Sequence, residues 1–416
     1  MQFREYFMRS WKQMHRGLLS VVIAMSLFII SYTLYNARDS PPNSCARLGP
    51  PPMSDVPFTP TCSPRWDLLF LKTHKTGSST VLNMLFRYGE HNKLSFAFPS
   101  GGRSDFAYPA PFSRRSVAGN PAISCFNVVA SHMRFEPEEA GRLLPLERVY
   151  FTLLRHPARL FESSFHYYGP SIPLTWHLPG PDKMDAFLRK PRAYYNPQAF
   201  NAHYLRNLQF FDLGQDKDME PSHPAIPGIL QSLEESFSLV MLTEYFDESL
   251  VLLKDLLCWD LEDVLYFPLN MRDPARTPPA LSPAAEKLAL SWNQLDALLY
   301  AHFNRTFWRK VDIFGRWRMA WEVAELRRAN AMMGEACLDG GGPVKAGLVR
   351  DPSLRPWQPA GGAGTIMGYN LRPGLEEVYQ DICRSMLTPE MQYMSKLGAN
   401  LWRVKAWSIL RGILGW

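Results

Sequence analysis

Cysteine is scarce in this chain: there are six in 416 residues, at positions 45, 62, 125, 258, 337 and 383, and no two are spaced C-x-x-C. That excludes a disulfide-dense miniature scaffold, a zinc ribbon and a thioredoxin-type redox pair. Long runs of one charge are missing too. With 45 Lys and Arg against 39 Asp and Glu, the net charge is only +6, and no basic stripe offers itself to nucleic acid. No internal repeat is evident, which sets aside a solenoid. No G-x-x-x-x-G-K-[ST] occurs, which sets aside the P-loop NTPases. What remains is 46% hydrophobic and 20% charged. That ordinary balance excludes a disordered or collagenous chain and leaves an enzyme-sized globular protein.

Only one apolar run is long. Gly17–Tyr35 holds nineteen residues without a charge, enough to cross a hydrocarbon core of about 30 Å as a helix. It exceeds the apolar core of a cleaved signal peptide, and no small-x-small cleavage site follows. Arg4, Arg9, Lys12 and Arg16 precede it against a single Glu5, so residues 1–16 are expected to stay cytoplasmic. Residues 36–66 carry eight of the 35 prolines and read as an extended stem. The expected organisation is a tail (1–16), an anchor (17–35), a stem (36–66) and one domain (67–416) in a lumen. An oxidising lumen permits disulfides, though the spacing does not choose their connectivity. Asn304-Arg305-Thr306 is the one proline-free N-x-[ST] sequon, so Asn304 is the candidate glycosylation site.

Chemistry first appears after Leu68–Leu71, a short apolar run that reads as a buried strand. Lys72-Thr73-His74-Lys75-Thr76-Gly77-Ser78-Ser79-Thr80 follows, and then Val81, Leu82, Leu85 and Phe86 recur at helical spacing. A strand, a loop of small residues and a helix N-terminus aim backbone N–H groups and a positive dipole end at an anion. Lys75, with Lys72 as a possible second cation, and the hydroxyls of Ser78, Ser79 and Thr80 suit a phosphate. Arg148–Leu154 reads as a second buried strand ending in Arg155-His156-Pro157. Arg155 then emerges where open α/β sheets bind ligands, and Ser163 lies two helical turns on. An Arg and a hydroxyl can clamp a further phosphate. Phe126–Ala130 reads as a third strand with His132 at its end. His132 is the first choice for a general base, His74 the second, and His166 and His203 are more distant ones; Glu136 and Glu162 stay open as carboxylate bases.

At these motifs the chain resembles the sulfotransferases. Lys75-Thr76-Gly77-Ser78-Ser79 is similar to their 5′-phosphosulfate loop, and Arg155 through Ser163 to their 3′-phosphate motif. LKTHKTGSSTVLNMLFRYGEHNKLSFAFP, SHMRF, LLRHPARLFESSFHYYGP and FNAHYLRNLQFFDLG resemble the Golgi galactose-3-O-sulfotransferases, from about residue 66 to the C-terminus. The resemblance implies an α/β, P-loop-like sulfotransferase fold, a central parallel sheet flanked by helices, preceded by one transmembrane helix. It implies 3′-phosphoadenosine 5′-phosphosulfate (PAPS) as donor and no metal. Lys72, Thr73, Lys75, Thr76, Gly77, Ser78, Ser79, Thr80, Arg155 and Ser163 would hold the donor, with Lys75 at the bridging oxygen. The implied acceptor is the 3-OH of a terminal β-galactose at the Golgi membrane. A glycolipid such as galactosylceramide or lactosylceramide comes first, and N-acetyllactosamine ends of glycoproteins are the alternative.

Sugar recognition needs flat rings beside hydrogen-bonding groups, and Arg134, Phe165, His166, Tyr167, Tyr168, Trp176, Asn201, His203 and Tyr204 supply them. At the C-terminus (397–416), Trp402, Trp407, Leu410, Ile413, Leu414 and Trp416 alternate with Lys396, Arg403, Lys405 and Arg411. That pattern suits a membrane interface or packing on the core. Long helices are expected near Ser282–Phe303 and Phe307–Met333. The rival reading is a glycosyltransferase whose Asp216-Lys217-Asp218 would hold a metal and a nucleotide sugar; a solvated turn is the plainer account of that tripeptide. The oligomeric state stays open.

Overall fold

The computed structural model describes residues 62–119, 125–276, 281–359 and 366–414. The expected tail, the anchor and nearly all of the stem lie outside them. Among the described residues no helix is long and apolar enough to cross a membrane.

Five parallel strands form the central sheet: β1 (Leu68–Leu71), β2 (Phe96–Ala97), β3 (Val128–Val129), β4 (Val149–Leu154) and β5 (Leu239–Leu242), in the order β2-β3-β1-β4-β5. β1 and β4 are continuous apolar runs because helices cover both sides of such a sheet; every residue of both strands is buried. Leu68 pairs with Val128 on one side and Val149 on the other, so β1, β3 and β4 end on one edge. The chain leaves β1 towards β2, returns through β3, and then crosses to β4. β1 is thus the switch point where an open α/β sheet forms its crevice. The third strand is shorter than the expected Phe126–Ala130. Asn127 still bonds both neighbours, its carbonyl accepting from Leu68 at 2.6 Å and its N–H donating to the Ser95 carbonyl at 2.9 Å, whereas the N–H of Phe126 donates away from the sheet to the Leu143 carbonyl at 3.2 Å.

The flanking helices include α1 (Ser78–His91), α2 (Pro157–Tyr168), α3 (Leu208–Asp212), α4 (Phe246–Leu257), α5 (Pro283–Trp292), α6 (Gln294–Phe314), α7 (Arg316–Cys337), α8 (Glu377–Leu387), α9 (Glu390–Lys396) and α10 (Trp402–Leu414). α8 and α9 pack on α1, and α6 packs on β5. A smaller apolar cluster of Phe161, Phe165, Leu178, Phe187 and Trp292 joins α2, the segment after it and α5. An antiparallel ribbon of β6 (Val344–Lys345) and β7 (Met367–Gly368) lies apart from the main sheet.

Two expected helices are in fact three. The breaks fall at Asn293 and at Gly315 (φ 98°), and not at residues 304–306. Only glycine takes that backbone angle without strain, whereas the polar 304–306 stretch continues the helix. Asn304 therefore stands inside α6, half-buried, two residues before the buried Thr306, whose hydroxyl donates to the Phe303 carbonyl at 3.1 Å. Disulfides join Cys62 to Cys258 and Cys337 to Cys383. The first ties the start of the described chain to the end of α4.

Gly214 follows α3 at φ 89°, where an added Cβ would lie 2.2 Å from the Phe135 carbonyl oxygen. Gly228 is helical, and nothing lies within 4 Å of the same position. Gly214→Ala is therefore expected to lower unfolding stability by about 3 kcal/mol through overlap and backbone strain. Gly228→Ala should leave it unchanged or slightly raised; denaturant midpoints of the two variants check this.

Candidate active site

The loop between β1 and α1 is closed on itself before any ligand is considered. Thr73 donates its hydroxyl to the Leu153 carbonyl of β4 and lies 2.9 Å from the Thr76 hydroxyl. Ser78 donates to the Thr73 carbonyl at 2.7 Å. From beyond β5, the Thr243 hydroxyl reaches the Thr76 carbonyl at 2.6 Å and the Leu154 carbonyl at 3.0 Å. Lys75 (φ 59°) and Gly77 (φ 83°) both adopt left-handed backbone, a strain that local structure tends to hold at binding sites. Around Gly77 an added Cβ would meet nothing within 4 Å, so conformation and not crowding requires glycine there. No side chain caps the start of α1. Its first-turn N–H groups and dipole face a cavity of about 850 Å³ lined by Gly77, Ser78, Ser79 and Thr80.

Four cations reach this cavity: Lys72, Lys75, Arg155 and Arg272. Two are matched by carboxylates. Arg272 meets Glu162 at 2.9 Å and Lys72 meets Glu390 at 3.1 Å; Ser79 also donates to Glu390, at 3.0 Å. By contrast, the ammonium of Lys75 sits 3.6 Å above the centre of the Tyr167 ring, and Arg155 donates to the Lys75 carbonyl at 3.0 Å. Gln209 of α3 fixes Arg155 by its backbone, accepting from its N–H at 2.7 Å and donating to its carbonyl at 2.9 Å. Burial first, and then the charges of Arg272, Arg155 and Lys72, bring the pKa of Lys75 down to about 7. A cluster of this kind attracts anions, and an anion would restore the lysine's charge.

A second group stands beside the first. His74 and His132 stack with ring centres 3.9 Å apart and planes 6° from parallel. The Nδ1–H of His132 donates to the Lys72 carbonyl at 2.8 Å, and its Nε2 lies 2.8 Å from the Lys72 ammonium. A carbonyl only accepts, so Nε2 of His132 holds the lone pair, and Lys72 already occupies it. Burial, His74 and Lys72 keep His132 well below its ordinary pKa, hence neutral. Asp212, closed to solvent, accepts from the backbone N–H of His74 at 2.8 Å, from its Nδ1 at 3.0 Å and from the Tyr108 hydroxyl at 2.8 Å. The carboxylate puts the His74 proton on Nδ1 and leaves the lone pair on Nε2, an arrangement like that of a catalytic triad's histidine. Tyr168 and Tyr204, stacked at 3.8 Å, bound the cavity nearby.

A profile of the family described as galactose-3-O-sulfotransferase matches residues 4–401. The chain belongs to that family. It is 49% identical over 422 residues to galactosylceramide sulfotransferase of Bos taurus, covering 98% of this chain and 99% of the relative. It is 48% identical over 420 residues to the Homo sapiens protein of that name, covering 98% and 99%. Against galactose-3-O-sulfotransferase 3 of Bos taurus it is 42% identical over 352 residues, covering 83% and 81%. The family's reaction is 3-O-sulfation of galactose.

The candidate residues divide accordingly. Lys72, His74, Lys75, Gly77, Ser78, Ser79, Thr80, His132, Arg155, Ser163, His166, Tyr167 and Tyr204 line the one cavity. Thr73 and Thr76 staple the loop from behind. Arg134 spans to the carbonyls of Gly214 and Gln215 at 3.2 and 3.4 Å. Asn201 donates to the Ser171 carbonyl at 3.1 Å. His203 lies behind Tyr108, where burial lowers its pKa to about 3. None of these last three lines the cavity. Phe165 belongs to the smaller core and Trp176 is exposed. Glu136 caps a short helix, Pro137–Gly141, and Glu162 is paired with Arg272. Asp218 is paired with Arg206 at 2.9 Å and with Lys217, so the D-x-D is a closed ionic turn. Sequence reasoning missed Tyr108, Asp212, Glu390 and Arg272, which carry no local motif.

Nuclear magnetic resonance of labelled lysines should show one ammonium titrating near pH 7, absent in Lys75→Arg. Pyrophosphate binds the charged form, so it should move that midpoint upward, and its affinity should weaken as pH rises past 7. A midpoint near the ordinary value of about 10.4 would refute the reading.

Proposed function

We propose that this protein transfers a sulfuryl group from PAPS to the 3-OH of the terminal β-galactose of a glycolipid. Galactosylceramide is the first acceptor and lactosylceramide a second. The near full-length likeness to the galactosylceramide sulfotransferases of cattle, humans and mouse, at 48–49% identity, supports the glycolipid acceptor. The observation that carries the donor is the convergence of the phosphate loop and Arg155 on one cavity. Residues 17–35 would anchor the chain in the Golgi membrane with the domain in the lumen. The disulfides Cys62–Cys258 and Cys337–Cys383 fit that compartment, because cytosolic thiols are kept reduced.

PAPS brings a sulfuryl group already activated by its anhydride link to phosphate. Around it, the loop amides and Lys75 hold the 5′ end, and Lys75 Nζ answers the negative charge that grows on the leaving phosphate oxygen. Arg155 and Ser163 hold the 3′-phosphate, while Phe246 and Tyr266 offer the cavity's aromatic surface to the base. His74 Nε2 takes the proton from the galactose hydroxyl, and Asp212 steadies the imidazolium that results. The hydrogen bonds favour His74 over His132 because Lys72 occupies the lone pair of His132.

Purified protein would be incubated with labelled PAPS, EDTA and three acceptors: galactosylceramide, lactosylceramide and soluble N-acetyllactosamine. Label on galactosylceramide is the expected result. Label on the soluble glycan alone would transfer the assignment to glycoprotein acceptors, and no label on any acceptor would overturn it.

Asp212→Asn keeps the side chain's size but frees His74 to adopt either tautomer. It is expected to lower kcat by about 10²-fold or more with little change in the KM for PAPS. An equal loss from His132→Ala and none from His74→Ala would reverse the assignment of the base.

A further inference from the structure

α10 has an unusual surface for a water-exposed helix. Trp402 is 54% exposed, Trp407 48%, Ile409 65% and Leu410 44%. Its charge has one sign: from Met391 to Trp416 the sequence has no Asp or Glu, against Lys396, Arg403, Lys405 and Arg411. A helix of 13 residues is marginal alone in water, and a cluster of exposed indole and aliphatic groups marks a contact surface. Position identifies the partner. Val404 and Trp407 line the catalytic cavity, and so do Ser104 and Asp105. Trp402 lies over Gly102, where an added Cβ would meet its ring at 2.6 Å. The helix therefore forms part of the cavity's rim and is continuous with its wall.

We infer that α10 is a bilayer-docking threshold: Trp402, Trp407, Ile409 and Leu410 enter the lipid interface, and Arg403 and Lys405 meet lipid phosphates. Indole rings favour that interface, and cations beside them are drawn to anionic headgroups. This rests on the glycolipid reading above. Galactose joined directly to a lipid cannot move far from the membrane surface. A cavity whose own wall dips into the interface receives the sugar without lifting the lipid out of the bilayer.

The test uses the full chain reconstituted in phosphatidylcholine vesicles and the variant Ile409→Glu/Leu410→Glu. Both positions are exposed, and neither lines the cavity. The expected result is a fall of about tenfold in kcat/KM on galactosylceramide held in the vesicle, with kcat/KM on soluble lactose unchanged. Equal falls on both acceptors, or none on either, would overturn the inference. So would a loss accompanied by a change in oligomer mass, which would assign the face to a second copy of the chain. Hydrogen exchange supplies a readout independent of the acceptor. In vesicles free of glycolipid, the amides of α10 should exchange about tenfold more slowly in the unmodified chain than in the variant, and equal rates would overturn the inference. Lactose labelled without galactosylceramide would count against the acceptor reading, while the exchange comparison still decides the docking.

Discussion

Asp212 is shut away from water, and a buried carboxylate is tolerable only when its lone pairs are answered. Two of its three named donors belong to His74, so the requirement of one residue becomes the orientation of another. Asp212 also closes α3, the five-residue helix whose Gln209 grips the backbone of Arg155 from both sides. A single turn of helix thus aligns the loop after β1 with the loop after β4. The start of that turn is held by Asp296 of α6, which accepts from the N–H groups of Gln209 and Phe210 at 3.2 and 2.8 Å. Burial raises the Asp296 pKa to about 7 even with those donors. The site therefore depends on a chain of buried polar contacts running from α6 through α3 to both loops.

The parts legible in the sequence are those whose physics is local. Leu68–Leu71, a run of small residues and the helical spacing of Val81, Leu82 and Leu85 lie within about twenty positions. Strand, loop and helix dipole are all set by residues within that span. Arg155 was legible for the same reason. Asp212 and Glu390 were not: they meet the loop from 138 and 311 positions away, beyond the reach of any local pattern. The acceptor candidates divide differently. Arg134, Asn201 and His203 have the right chemistry beside aromatic rings, but Arg134 and Asn201 serve neighbouring carbonyls and His203 lies buried behind Tyr108. Composition near a motif says which groups are available and nothing of which way they face. The tautomers on which the proposed preference for His74 over His132 rests are visible only through the hydrogen-bond partners.

Electrostatically the cavity is balanced and not simply basic. Glu162 and Glu390 offset Arg272 and Lys72, which keeps four cations from destabilising the empty fold by mutual repulsion. The imbalance is left to Lys75 and Arg155, the two side chains whose named contacts are a ring and a carbonyl. Positive potential is thereby concentrated where the loop is most strained and best anchored.

The Thr243 hydroxyl, placed between the Thr76 and Leu154 carbonyls, joins the far side of the sheet to this anchored loop. That rigidity has a kinetic side. If the donor is the one proposed above, a grip built on phosphates would not distinguish it from the bisphosphate left behind, since the group that departs is the sulfuryl. A loop anchored this firmly would hold a departing nucleotide as tightly as an arriving one, so on the proposed reading release of product, and not only chemistry, would bear on turnover.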